Sequence, residues 1–312
     1  MAVPILELPI PQSAAATIAA IVDALKAAAG DPPKGRANFA KGRCVRGTYV
    51  PSDRAEEITR SLSFTKPSRV LARFSVDSSD ANGADADNLA LRGFGFRLGD
   101  RHHRSDILAQ SAPVHFAKTL DQMLAFLKAR SPGPDGNPDR ERIKAFSAAN
   151  PETLHQASYI AAHPLPRNFS GTTYWGVHSF PATNLAGETR FIKFKLAPVG
   201  ADVAPAKSDV TANILDDDLE HRITSGDVRF SVMALLDRPG DPTTDVTIRW
   251  PDEDNREEVR LGTIVITGLE PDETCDASSF DPANLAEGIA HPPDEIFAAR
   301  SAAYALSLAK RR

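Results

Sequence analysis

The chain has 312 residues, a hydrophobic fraction of 42%, a charged fraction of 25% and a formal net charge of −5. These are the proportions of a globular protein large enough to enclose a small molecule. The acidic balance, with a terminal "AKRR" as the one basic run, argues against nucleic acid or an anionic membrane as the main partner and leaves a small-molecule substrate.

From the N-terminus, residues 1–11 are apolar but lack a basic leader, carry Glu7, and place Pro4, Pro9 and Pro11 where the core of a signal peptide would lie. Residues 13–29 read as an Ala-rich helix with Ser13 as candidate N-cap and Gly30 after its end. This N-terminal helical arm, residues 1–30, is expected to pack either on its own domain or on another subunit, so a homo-oligomer stays open. No stretch reaches the roughly 20 apolar residues of a membrane span, and the expected location is cytoplasmic. Cys44 and Cys275 suggest neither a metal cluster nor a disulfide framework, and two small buried thiols fit a reducing compartment.

Short segments rich in Val, Ile, Phe and Thr predict strands at 43–50, 68–76, 92–100, 190–198, 228–236, 243–250 and 258–267, most with period-two alternation. Helical patterns fall at 119–130, 139–149, 208–223 and 293–312, and solvated loops at 78–88 and 131–140. Strands cluster in two blocks with helices between and after them. The fold class is therefore α+β, an antiparallel β-barrel of about eight strands with helical insertions, and residues 31–312 form one domain.

Seven motifs carry more. "RANFAKGRCVRGTYVPS", "RVLARFSV", "LRGFGFRLGD", "SAPVHFAKT", "NPETLHQASYI", "YWGVHSF" and "AARSAAY" occur in the order and approximate spacing of the haem catalases. The short chain resembles the catalase-related peroxidases, over roughly residues 30–310. That resemblance implies haem b, held at iron by a tyrosine in an Arg-x-x-x-Tyr motif on a C-terminal helix, here Arg300 and Tyr304. Residues four apart share a helix face. A guanidinium in reach of a phenol favours the phenolate, the form that binds ferric iron. The resemblance also implies Arg36 and Arg73 near the haem propionates, His178 as support beside the tyrosine, and Phe116 against the ring. His155, His163 and His291 read as structural.

Two positions depart from the family pattern. Its distal histidine, from a His-Ala-Lys-Gly motif, is Phe39 here; its distal asparagine falls on Ser111, or on Gln110 if the alignment slips by one. Splitting a peroxide requires a base that takes a proton from one oxygen and returns it to the other. Phenylalanine does neither, so hydrogen peroxide dismutation is expected to be lost or vestigial. His115 is the candidate replacement, although strand alternation favours its neighbour Phe116 as the side chain facing the ring. The remaining readings are a haem oxidoreductase for a bulkier organic substrate, a weak catalase or peroxidase, and a non-enzymatic haem carrier or sensor. Retention of Tyr304, Arg36 and Arg73 favours the first.

Overall fold

Among the described residues nine strands pair antiparallel: β1 (Lys41–Pro51), β2 (Ser68–Val76), β3 (Arg92–Leu98), β4 (Ser105–Gln110), β5 (Tyr174–Trp175), β6 (Phe180–Thr183), β7 (Thr189–Pro198), β8 (Arg229–Leu236) and β9 (Glu258–Leu269). The computed structural model describes residues 12–30, 35–77, 89–133, 136–200, 214–226, 228–277 and 279–312. The apolar segment 1–11, the loop 78–88 and the start of the 208–223 helix lie outside the described residues. The strand order is β5-β4-β3-β2-β1-β9-β8-β7-β6, and pairing of β5 with β7 closes eight strands into a barrel with β6 appended to β7. Closure removes the free edges that an open sheet of this length would leave.

One face of each strand fills the barrel. Phe74 of β2 stacks on Phe94 of β3 with ring centroids 4.4 Å apart, and Phe230 of β8 lies 5.1 Å from Phe94. The opposite face of β2–β4 points outward, and there the site is built.

Helices surround the barrel: α1 (Gln12–Ala28), α2 (Ala55–Ile58), α3 (Leu62–Thr65), α4 (Leu120–Arg130), α5 (Arg140–Ala149), α6 (His155–Ala162), α7 (Ile214–Ser225), α8 (Asp272–Asp276) and α9 (Glu295–Ala309). Side chains that accept from orphan backbone N–H groups fix three starts: Thr119 on α4, Asp139 on α5 and Asp294 on α9. Gly30 ends α1 in the left-handed conformation, φ 79°. α1 packs on α4 and α9 of its own chain. Among the described residues no helix is long and apolar enough to cross a membrane.

Two expectations need correction. Residues 243–250 form turns rather than a strand. The carboxylate of Asp245 accepts from both the N–H and the hydroxyl of Thr247, a local turn that competes with extended pairing. Val246 and Trp250 are buried through tertiary docking, which explains the apolar pattern. β4, β5 and β6 were not anticipated, being short or, like "SDILAQ", without a β-branched run.

The second correction concerns the cysteines. Cys44 on β1 and Cys275 on α8 form a disulfide, so the expected pair of free thiols, and the reducing compartment read from it, lose their basis. The bridge spans 231 residues, a loop for which chain entropy alone gives an upper bound of about 5 kcal/mol. Replacing both cysteines by alanine should lower the unfolding midpoint by roughly 3–6 °C, corresponding to about 2–4 kcal/mol. Calorimetry of the two proteins without reductant checks this, and equal midpoints would show that the bridge does not form.

Candidate functional site

The final helix sets the first wall. Ala299, Arg300, Ala303, Tyr304, Ser307 and Arg311 recur at the three- and four-residue spacings of one face, and all line a cavity between α9 and the barrel. Alanine and serine keep this face low on either side of the Tyr304 phenol. The barrel supplies the second wall through Arg73 and Ser75 of β2, Gly93 and Gly95 of β3, and Leu108 and Gln110 of β4. Registers Arg73↔Gly95, Ser75↔Gly93, Gly93↔Gln110 and Gly95↔Leu108 put these six on one outward surface. A β-carbon on Gly93 would come within 2.6 Å of Ser75 Oγ, and one on Gly95 within 2.9 Å of Leu108 Cδ2. The glycines therefore keep this wall flat. Ile18, Ile21, Val22 and Leu25 of α1 add an apolar side, and the cavity measures about 240 Å³. Ordinary interiors hold few voids larger than a water, so this is space for a ligand.

A hydrogen-bonded chain fixes the phenol. Arg300 Nη2 donates to Tyr304 Oη at 3.1 Å, and Arg300 Nη1 lies 2.8 Å from His178 Nε2. A guanidinium can only donate, so His178 Nε2 must be a lone pair and Nδ1 must carry the proton. Nδ1 is 2.8 Å from Asp294 Oδ2, which receives it. Burial pushes the His178 imidazole below its ordinary pKa, in keeping with that neutral tautomer. Asp294 stays ionised: burial opposes its charge, but hydrogen bonds from His178 and the Phe297 N–H, with the Arg300 charge, prevail and hold it below the usual range. Asp294 is also the α9 N-cap through its other oxygen. One carboxylate thus sets the helix start and orients the side chains that reach Tyr304.

At one end of the slot three guanidiniums gather. Arg36 donates to the Cys275 carbonyl at 2.6 Å and lies 3.3 Å from Asp276. Arg73 donates to the carbonyls of Phe39 at 2.9 Å and Ala40 at 2.7 Å. Burial, reinforced by the positive charge of Arg36, brings Arg73 down to about 10. Arg311 is the third; its side chain is 7% exposed and 3.8 Å from Asp276, yet Nε and Nη1 have no hydrogen-bond partner. Sequence reading passed it over as part of the "AKRR" tail, although it sits seven residues, two helical turns, beyond Tyr304.

On the barrel wall Phe39 has φ 52°, unusual for a bulky side chain. Its ring lies 3.2 Å from where a Gly93 β-carbon would stand. Gln110 lines the cavity, its carboxamide donating to the Val114 carbonyl at 2.8 Å. Ser111 does not: it is buried with its hydroxyl accepting from the Arg92 N–H, because it follows Gln110 onto the other strand face. The alternative register, with Gln110 at the asparagine position, is the one whose side chain reaches the cavity.

His115 and Phe116 both line the cavity, their rings stacked at 4.3 Å. Burial lowers His115 to about 4, and the charges acting on it are those of His178, Arg300 and Asp294. The His115 Nδ1 lies 2.8 Å from the Ala117 carbonyl, so one ring nitrogen is held by the neighbouring backbone. His155, His163 and His291 each have a ring nitrogen within 3.0 Å of a backbone carbonyl. Asp77, which sequence reading did not single out, also lines the cavity.

Comparison with known proteins agrees with this geometry. A family model described as Catalase matches residues 24–312. A catalase-related peroxidase of Synechococcus elongatus is 30% identical over 284 residues, covering 88% of this chain and 83% of that protein. Another from Mycolicibacterium paratuberculosis is 28% identical over 301 residues, 93% of each. Among solved structures, a fungal catalase superposes with TM-score 0.76 at 18% identity and a bacterial catalase with 0.75 at 20%. The chain spans 62% and 63% of those two larger proteins. The sequence match over almost the whole chain and the shared barrel lead to one conclusion: this chain belongs to the catalase family, a family of oxidoreductases for which haem is the implied cofactor and peroxide chemistry the implied activity.

Proposed function

We propose that this chain binds haem b with Tyr304 as axial ligand and uses it on an apolar organic substrate rather than on hydrogen peroxide. The slot suits the cofactor on three counts. Its two walls are kept low by Gly93 and Gly95 on one side and Ala299 and Ala303 on the other, as a flat macrocycle needs. One end holds Arg36, Arg73 and Arg311, with two Arg311 nitrogens lacking a partner, as a pair of propionates needs. The phenol of Tyr304 points into the slot already paired with a guanidinium.

When bound, haem supplies a redox-active, Lewis-acidic iron. The residues do the rest. Arg300 stabilises negative charge on the Tyr304 oxygen, and His178 and Asp294 hold that guanidinium in place. The three arginines neutralise the carboxylate end. Phe39, Phe116 and the α1 side chains exclude water and receive an apolar body.

The observation that carries the reading is Phe39, an apolar ring held against the barrel wall where the family pattern has an imidazole. The test is to load the protein with haem, record its ferric spectrum, and compare consumption of hydrogen peroxide with that of cumene hydroperoxide. The expected outcome is a tyrosinate-type spectrum, little oxygen release, and a kcat/KM at least ~10-fold higher for the organic hydroperoxide. Brisk oxygen release from hydrogen peroxide would overturn it.

A further inference from the structure

Asp77 stands just beyond the end of β2, two and four residues after Ser75 and Arg73, so all three share the outward face that forms the cavity wall. Its N–H donates to the Leu91 carbonyl at 2.8 Å, continuing the β2–β3 ladder past Val76↔Arg92. Phe39 rests over Gly93 beside Ser75; Asp77, one residue pair further along, lies about 7 Å beyond Ser75. No described residue hydrogen-bonds its carboxyl. Asp77 lines the cavity and also keeps exposure to solvent, while the protein packed around its carboxyl desolvates it and raises it to about 6.

The other candidates for handling protons in the cavity are committed elsewhere. His115 is lowered to about 4 by burial, and its Nδ1 lies 2.8 Å from the Ala117 carbonyl. Gln110 carries no transferable proton near neutral pH. Tyr304 is bound to Arg300, and the remaining charges facing the space are Arg36, Arg73, Arg300 and Arg311. The α1 wall contributes Ile18, Ile21, Val22 and Leu25, none of which titrates, and β3 contributes Phe94 and two glycines, with Leu91 just before it.

We propose that Asp77 is the catalytic acid–base of this pocket, displaced about 7 Å along β2 from Ser75 and further along the wall than the Phe39 ring. This rests on the haem-binding reading above and narrows the substrate class. As the O–O bond of a hydroperoxide or the N–O bond of an N-hydroxy compound breaks, the carboxylate accepts the O–H proton and returns it to the oxygen or nitrogen released. The two electrons taken by that group are lent by the bound haem and returned to it when the retained oxygen is passed to the substrate body, so neither protons nor electrons are gained or lost overall. A substrate served this way is longer than hydrogen peroxide, with an apolar body on α1 and its acidic hydroxyl between Asp77 and Tyr304.

Cyanide tests the proton step without turnover, because hydrogen cyanide must give up its proton to bind as the anion. In haem-loaded wild-type protein the association rate should show an inflection near pH 6. Asp77→Asn should lose the inflection and bind roughly tenfold or more slowly. Asp77→Glu should restore it, and Glu57→Gln, a surface change, should match wild type. Without haem, Asp77→Asn should be more stable than wild type at pH 8, with the difference shrinking as pH falls through about 6 and gone below about pH 4. The sign follows from a carboxyl whose folded pKa lies above its unfolded one, so that its ionised form opposes folding. Identical cyanide profiles for wild type and Asp77→Asn, or no pH-dependent stability difference, would overturn the proposal alone. Failure of every variant and of the wild type to take up haem would remove it together with the reading beneath it.

Discussion

Replacing Phe39 by histidine should raise oxygen release from hydrogen peroxide by roughly 10²- to 10⁴-fold over the haem-loaded wild type, the usual worth of a positioned acid–base group. The backbone is already prepared for it. Phe39 sits at φ 52°, where an L-residue with a bulky side chain costs about 1–2 kcal/mol and histidine is better tolerated. Two Arg73 hydrogen bonds, to the carbonyls of Phe39 and Ala40, hold that conformation whatever the side chain. Ser75 Oγ lies against the same patch of wall as the Phe39 ring and is placed to hydrogen-bond an imidazole there. The variant should therefore fold at least as well as wild type, and an oxygen electrode reads the gain directly. A variant that loads haem, keeps its spectrum and releases no more oxygen would show that residue 39 does not address the reacting face.

The same experiment separates the two proton routes. Asp77 lies further along the wall than the Phe39 ring, so it serves a long substrate and is poorly placed for a molecule as small as hydrogen peroxide. Phe39→His should therefore raise activity with hydrogen peroxide much more than with cumene hydroperoxide. Combining it with Asp77→Asn should leave the hydrogen peroxide gain nearly intact. Additivity of this kind is expected where two groups do not share a substrate.

Local periodicity made the barrel legible, because period-two runs such as Phe191 to Leu196 signal a half-buried strand wherever they fall. It misread 243–250, where Val246 and Trp250 are buried by docking, Ile248 is exposed and Asp245 turns the chain. Arg300 and Tyr304 were visible as an i, i+4 pair, since one helix encodes their contact. The bond from His178 to Asp294 joins residues 116 apart, and the disulfide joins residues 231 apart, so neither leaves a local trace. The choice between Gln110 and Ser111 turned on strand parity, which a single-residue slip reverses. Asp77 was hidden for another reason: its meaning lies in the space it faces, and a cavity has no sequence period.

Arg311→Met is expected to move stability and cofactor affinity in opposite directions. The side chain is 7% exposed, two of its nitrogens have no hydrogen-bond partner, and it shares the slot end with Arg36 and Arg73. An unsatisfied buried polar group costs about 1–3 kcal/mol, and like charge adds to it: Arg36 and Arg311 help bring Arg73 down to about 10. Asp276, 3.3 Å from Arg36 and 3.8 Å from Arg311, is shared between them and offsets part of the excess. Methionine fills much of the same volume without the charge, so the haem-free variant should unfold a few degrees higher than wild type. Haem affinity should fall by roughly 10- to 100-fold, because a charge-assisted hydrogen bond to a carboxylate contributes about 1.5–3 kcal/mol. Thermal unfolding of the haem-free proteins and a haem titration measure the two effects, and Arg311→Lys should fall between. A variant that lost both stability and affinity would make Arg311 a structural residue. Opposite signs of this kind would identify the cationic end as a ligand site, because the charge that opposes folding there is the charge that a dianionic ligand would pair.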